Sequence, residues 1–220
     1  MKTEAKVEEH PILFSGPMVR AILSGEKTQT RRVCKPLTFG WPQYEAVDGQ
    51  MWYDDGIWFK RDSPYGRPGD RLWVRETCVI REGSYMQRKT LDELLIKGPP
   101  PSSVYYVATE RIYEGEKKTP SIHMPRWASR ITLEVVGVRV ERLQRITIDD
   151  VRAEGVPDTW GECDDNFQRE SKLQPHEWDN KTWREQWQFR WDRIYAKRGF
   201  GWDAKPWVWV VEFRKCEPAM

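Results

Sequence analysis

The chain has little of what most readily announces a function. Its four cysteines, Cys34, Cys78, Cys163 and Cys216, stand far apart. None forms the closely spaced pair of a zinc site, so neither a metal nor a cofactor is expected. Nothing at the N-terminus resembles a signal peptide, so the thiols are expected to be reduced and the protein cytoplasmic. No apolar run approaches the roughly 20 residues that a membrane span requires. Charge of one sign is also lacking: 36 basic residues face 34 acidic ones, a net +2. That balance excludes a global field of the kind that gathers nucleic acid, although basic residues can still cluster locally. There is no internal repeat and no low-complexity tract, and 220 residues suit one domain with insertions.

What the chain does have is tryptophan, 13 in all. Indoles in such number either fill and cover a β-rich core or line a pocket wall. It also has one stretch dense in chemistry, Ser24-Gly25-Glu26-Lys27-Thr28-Gln29-Thr30-Arg31-Arg32. Before it, Met18, Val19, Ile22 and Leu23 recur at helical spacing, with Pro17 placed to open a helix and Gly25 to close it. After Gly25 the pattern alternates as a strand would, with Thr28, Thr30 and Arg32 on one face. A lysine in the bend after Gly25 has the reach to meet a hydroxyl three residues on. A partly buried, neutral lysine is a base that can activate a threonine. The same residues also suit the solvated start of a strand.

Along the chain, strands are expected at Pro11–Phe14, Arg71–Glu76, Val104–Ala108, Ile131–Val140 and Trp207–Phe213. Asp54-Asp55-Gly56 marks the turn of an aromatic hairpin between Met51–Tyr53 and Ile57–Phe59. In the strand at 71–76, Glu76 ends the face of Leu72 and Val74, as a salt-bridged strand end or a carboxylate at a pocket rim. Residues 90–97 suit a helix and 98–103 a stiff proline-rich linker. Ser121–Arg130 reads as a loop rich in chemistry, in which His123 is read as a packed histidine rather than a catalyst. A helix over Ile146–Val156 carries Thr147 and Asp150 as a capping-box analogue. It ends at Gly155, which leaves Glu154 at a terminus whose dipole it opposes; such a residue is solvent-exposed or functional. Residues 157–180 read as a polar loop. Thr182–Ile194 reads as a helix with a core-facing stripe of Trp183, Trp187, Trp191 and Ile194.

The central stretch, the Glu154-Gly155 helix end and the Val210–Phe213 strand together resemble the ASCH domain family. The resemblance places its motif on Gly25, Lys27, Thr30 and Arg32. The segments 67–76 and 123–130 look like a larger, phage- and prophage-associated branch. The fold implied is α+β: a small PUA-like β-barrel of mixed strands flanked by helices, here one domain over 1–220 with insertions near 34–66, 81–120 and 157–180. Some small members are amidohydrolases that deacylate N4-acetylcytidine. The resemblance then implies Thr30 as nucleophile, Lys27 as base and Glu154 as acid. Arg32, Trp73, Glu76, Trp127, Ser129 and Arg130 would contact a small modified nucleoside. An RNA-binding module lined by Arg31, Arg32, Arg75, Arg126 and Arg130 is the first alternative, and a ribonuclease the second.

Overall fold

A computed structural model describes residues 6–34, 50–53, 59–81, 104–157, 168–169 and 171–216. The fold is mixed α and β, built on a five-stranded sheet. Its strands are β1 (Glu9–Leu13), β2 (Gln29–Val33), β5 (Arg71–Arg75), β8 (Thr132–Arg142) and β9 (Trp207–Lys215). The order is β1-β5-β8-β9-β2; β1 runs parallel to β5 and the other pairs are antiparallel. A hairpin joins β3 (Gln50–Tyr53) to β4 (Phe59–Asp62), and β6 (Cys78–Ile80) pairs with β7 (Val104–Tyr106). The second hairpin strand thus begins at Phe59, two residues later than the aromatic pattern suggests. The helix expected at 90–97, the linker at 98–103, Cys163 and most of the 34–66 insertion lie outside the described residues.

The sheet has two roles because β9 buries both faces. Trp209, Val211 and Phe213 face a core containing Phe14, Leu72 and Leu133, covered by Val19 and Ile22 of α1 (Gly16–Ser24). Val208 and Val210 face a second core of Val151 from α2 (Ile148–Ala153) and Trp187 and Trp191 from α4 (Trp183–Tyr195). Alternation along β9 therefore separates two apolar faces, as expected of a central strand covered on both sides.

The helix ends follow from their sequences. Pro17 lies in the first turn of α1, and Gly25 ends that helix at φ 86°. The Thr147 hydroxyl accepts from the Asp150 N–H, while the Asp150 carboxylate accepts from the Thr147 N–H. Thr182 and Glu185 do the same for α4.

Three expectations need correction. The sheet is not closed into a barrel: β1 and β2 are its two edges. One side chain spans the gap, since Arg32 of β2 donates to the Leu13 carbonyl of β1 at 2.7 Å. The segment 157–180 is not simply loop, because α3 (Pro175–Asp179) buries Trp178 beside Phe189. A proline in the first turn and a glutamate that caps the Gln174 N–H start that helix, and burial of one indole anchors it. Ile194 is exposed, because α4 turns Trp187 and Trp191 to the core, with Trp183 and Tyr195 packed against them.

Candidate functional site

Lys27 and Glu154 meet in the interior. Lys27 Nζ lies 2.8 Å from Glu154 Oε2 and donates also to the Glu154 backbone carbonyl at 2.8 Å. Backbone pairing explains the encounter: Lys27 and Glu154 form an isolated bridge, and the Thr28 N–H bonds to the Ala153 carbonyl. The C-terminal end of α2 thus closes against the start of edge strand β2. Glu154 is buried, so its position against the helix dipole reflects a cation brought to it, not exposure.

Gly155 permits this approach. It takes φ +69°, and a Cβ there would lie 2.9 Å from the Ala21 Cβ and 3.1 Å from the Lys27 Cβ. Gly155→Ala is therefore expected to lower stability by about 1–3 kcal/mol, through a left-handed backbone and a clash at the same residue. A chemical-denaturation midpoint checks it; an unchanged midpoint would mean that the helix end can shift freely.

The strand face decides the remaining partners. Thr30 pairs with Val211 and Arg32 with Trp209, on the α1 side of the sheet. Gln29 and Arg31 face the other way, as alternation requires. Arg31 is 1% exposed and donates to Glu141 at 2.6 Å, with Asp150 at 3.1 Å and Glu154 at 3.4 Å. Gln29 donates to Asp150 at 3.0 Å, and Arg139 pairs with Asp150, Glu141 and Glu212. A buried guanidinium is tolerable when ringed by carboxylates in this way.

The Thr30 hydroxyl is different. Thr30 is 0% exposed, and its Oγ1 has no hydrogen-bond partner among the described residues. The Lys27–Thr30 contact expected of a base and its nucleophile is therefore not made; the Lys27 amine is turned to Glu154. Burial pushes the Lys27 ammonium below the ordinary lysine pKa, against the charge and hydrogen bond of Glu154, which favour the cation. Burial alone would raise Asp150, but hydrogen bonds from Thr147 and Gln29 and the charge of Arg31 hold it well below the usual carboxylate range.

A cavity of ≈ 690 Å³ adjoins this cluster, between α1, the edge of β2 and α4. Arg31, Arg32, Glu154 and Gly155 line it, with Trp187 and Trp191 opposite; neither Lys27 nor Thr30 does. The bonds Phe213 N–H to Thr28 O and Cys34 N–H to Trp207 O fix the even-numbered residues of β2 as those paired to β9. In an antiparallel ladder the odd-numbered residues then turn their amides outward, so the Arg31 N–H points to the open edge.

The other candidate contacts lie elsewhere. Glu76 is buried and binds Arg130 bidentately at 2.9 and 3.0 Å, so the salt-bridged reading holds for it. The Ser129 hydroxyl donates to the Val74 carbonyl at 2.8 Å and ties the loop to β5. Trp73 lies beside Arg75 and Arg126, Trp127 is exposed, and none of these residues lines the cavity. Arg75 donates to the Ile122 carbonyl and Arg126 to Glu9, so each arginine of the expected RNA groove has an internal partner. His123 is exposed in a short 3₁₀ turn, not packed. Nothing in the sequence marks Glu141 and Asp150 as partners of Arg31, or Arg139 as a second cation on those carboxylates, since their spacing reflects tertiary pairing alone. Among the described residues no group of three or more potential ligands could hold a metal, and no helix is long and apolar enough to cross a membrane. Comparison of the chain with protein-family models, curated proteins and solved structures finds no match.

Proposed function

We propose that the protein is an amidohydrolase that removes the acyl group from N4-acylated cytidine. One observation carries this reading: a buried lysine and glutamate, 127 residues apart in sequence, touch at 2.8 Å, and three residues on from that lysine a buried threonine hydroxyl has no partner among the described residues. A structural ion pair alone gives no reason to keep an unbonded hydroxyl in the interior, where it costs about 1–3 kcal/mol. The open sheet is, in this view, an unclosed variant of the ASCH-type, PUA-like fold, with Arg32 reaching from one edge strand to the other.

The chemistry follows from the pair. In a water-poor site the proton of Lys27 passes along the 2.8 Å contact to Glu154, leaving a neutral amine and a carboxylic acid. Substrate enters from the cavity, past Arg32, and the Lys27 amine turns from Glu154 to Thr30. Lys27 takes the Thr30 proton as Oγ1 bonds to the acyl carbon. The outward N–H of Arg31 and the Arg32 guanidinium receive the oxyanion. The carbon–N4 bond breaks as Glu154 returns its proton to the exocyclic amine, releasing cytidine. Water then attacks the acyl-threonine, giving its proton to the Glu154 carboxylate, while Lys27 reprotonates Thr30. Pairs of contacts that tighten only with substrate present are common in such sites.

The test is incubation of the purified protein with N4-acetylcytidine, following cytidine by chromatography. Release is expected from the wild type and not from Thr30→Ala or Lys27→Ala. The rate should fall at high pH as the one proton shared by Lys27 and Glu154 is lost, because Glu154 then has none to give the exocyclic amine, and that inflection should lie below the ordinary lysine value. No turnover of any N4-acylcytidine by the wild type, or unchanged turnover in either variant, would sink the proposal. Salt-sensitive RNA binding by a chain without turnover would favour the binding module instead.

A further inference from the structure

The Lys27–Glu154 pair stands between two cavities. Glu154 lines the one of ≈ 690 Å³ described above. Lys27 lines a second, of ≈ 270 Å³, between the C-terminal end of α1, the start of β8 and the end of β9. Ser24 borders both, so they adjoin where α1 ends. Strand β2 runs from one to the other. Thr28, Thr30 and Arg32 share its face toward α1. Thr28 lines the smaller cavity and Arg32 the larger; Thr30, between them, lines neither and is buried. The walls of the smaller cavity are apolar: Ile22 and Leu23 from α1, Leu133 from β8 and Phe213 from β9. Arg214 and Lys215 stand exposed at its mouth, and Arg214 is held by Glu134. At ≈ 270 Å³ the space lies below the ~300–1,000 Å³ typical of a whole ligand and suits part of one.

We infer that the smaller cavity is an acyl-chain site, so that the preferred substrates carry a straight aliphatic acyl group longer than acetyl. Calling the chain an acyl group rests on the hydrolase reading above; an aliphatic site at this position does not. Two strand residues span about 6.6 Å. An acetyl group on the Thr30 hydroxyl therefore stays beside β2, while a chain of roughly four to six carbons reaches past Thr28 into the smaller cavity. The cytosine stays on the Glu154 side, where its exocyclic nitrogen takes the proton, so base and chain lie on opposite sides of the pair. Each methylene that leaves water for the apolar walls favours binding by about fourfold. The hydrolysed acid is an anion, and the cations at the mouth draw it outward.

Two measurements on the full chain test this separately. Across N4-acetyl-, N4-butanoyl- and N4-hexanoylcytidine, kcat/KM is expected to rise, with hexanoyl at least about tenfold above acetyl. In titration calorimetry, which needs no turnover, hexanoate is expected to bind at least about tenfold more tightly than acetate, which carries the same charge. Thr28→Phe and Leu23→Phe each place a ring in the cavity, from an exposed and a half-buried position, and should bring both ratios close to one. Either variant suffices if the other does not fold. Cytidine release that is flat or falls with chain length would overturn the inference. So would equal binding of the two carboxylates, or ratios that both variants leave unchanged. Hexanoate held in preference to acetate, with the preference lost in the variants and no N4-acylcytidine hydrolysed, would defeat only the hydrolase. Turnover of N4-acetylcytidine with no dependence on chain length in either measurement would defeat only the acyl-chain site.

Discussion

Glu154→Gln is expected to lower stability by about 3–5 kcal/mol at neutral pH, the range for breaking a buried ion pair from one side. The substitution keeps the shape and removes the charge. Arg31 retains Glu141 and Asp150, so its loss is small. Lys27 retains only the Glu154 backbone carbonyl among its described partners, and it is the group left uncompensated. The pH dependence gives the signature. Burial already holds the folded-state pKa of Lys27 below its ordinary value, and loss of the Glu154 charge removes what opposed that shift. Unfolded lysine stays protonated to about pH 10.4, so over the window from the folded pKa up to that value the unfolded state binds more protons. Stability then rises with pH across the window, and the penalty should shrink between pH 7 and 10. Denaturant midpoints at several pH values read this directly. Lys27→Met in the Glu154→Gln background should cost less than the two changes summed, because the charge left unpaired is gone. A cost below about 1 kcal/mol, flat with pH, would mean that the pair is solvated and not an interior anchor.

Much of the architecture around this pair was legible in local chemistry. Pro17 and Gly25 bound α1, Thr147 and Asp150 cap α2, and alternation marks β8 and β9 because each local signal agrees with the tertiary fold. The misplaced charge of Glu154 was itself a signal, and it led to a buried carboxylate. What local signals lack is the partner. Arg31 read as a groove arginine because the carboxylates that hold it are remote in sequence, 110 to 123 residues away. The unclosed sheet was illegible for a related reason. Whether two edge strands meet depends on twist and on the segments between them, and here a single guanidinium crosses from β2 to Leu13. Trp178 was missed because a five-residue helix gives too short a period to register.

Thr30→Val should separate function from stability more sharply than any other change. Valine keeps the branched shape that suits β2 and removes only the hydroxyl. At an ordinary buried threonine that exchange costs stability, because a hydrogen bond is lost. Here Oγ1 has no partner among the described residues, so the folded protein gives up nothing and an unsatisfied polar atom leaves the interior. The variant should be as stable as the wild type or more stable by about 1 kcal/mol. Its turnover of an acylated cytidine should fall on the order of 10⁴- to 10⁶-fold, the scale for removing a nucleophile that works with its base as a unit. Thr30→Ser, which restores the hydroxyl in a smaller side chain, should recover part of the rate and none of the added stability. Full activity in Thr30→Val would remove the nucleophile and with it the hydrolase. A marked loss of stability would mean that the hydroxyl holds a structural bond after all. Only a stable, inactive valine variant fits a chain that keeps an unbonded hydroxyl three residues on from a buried lysine because its chemistry needs it there.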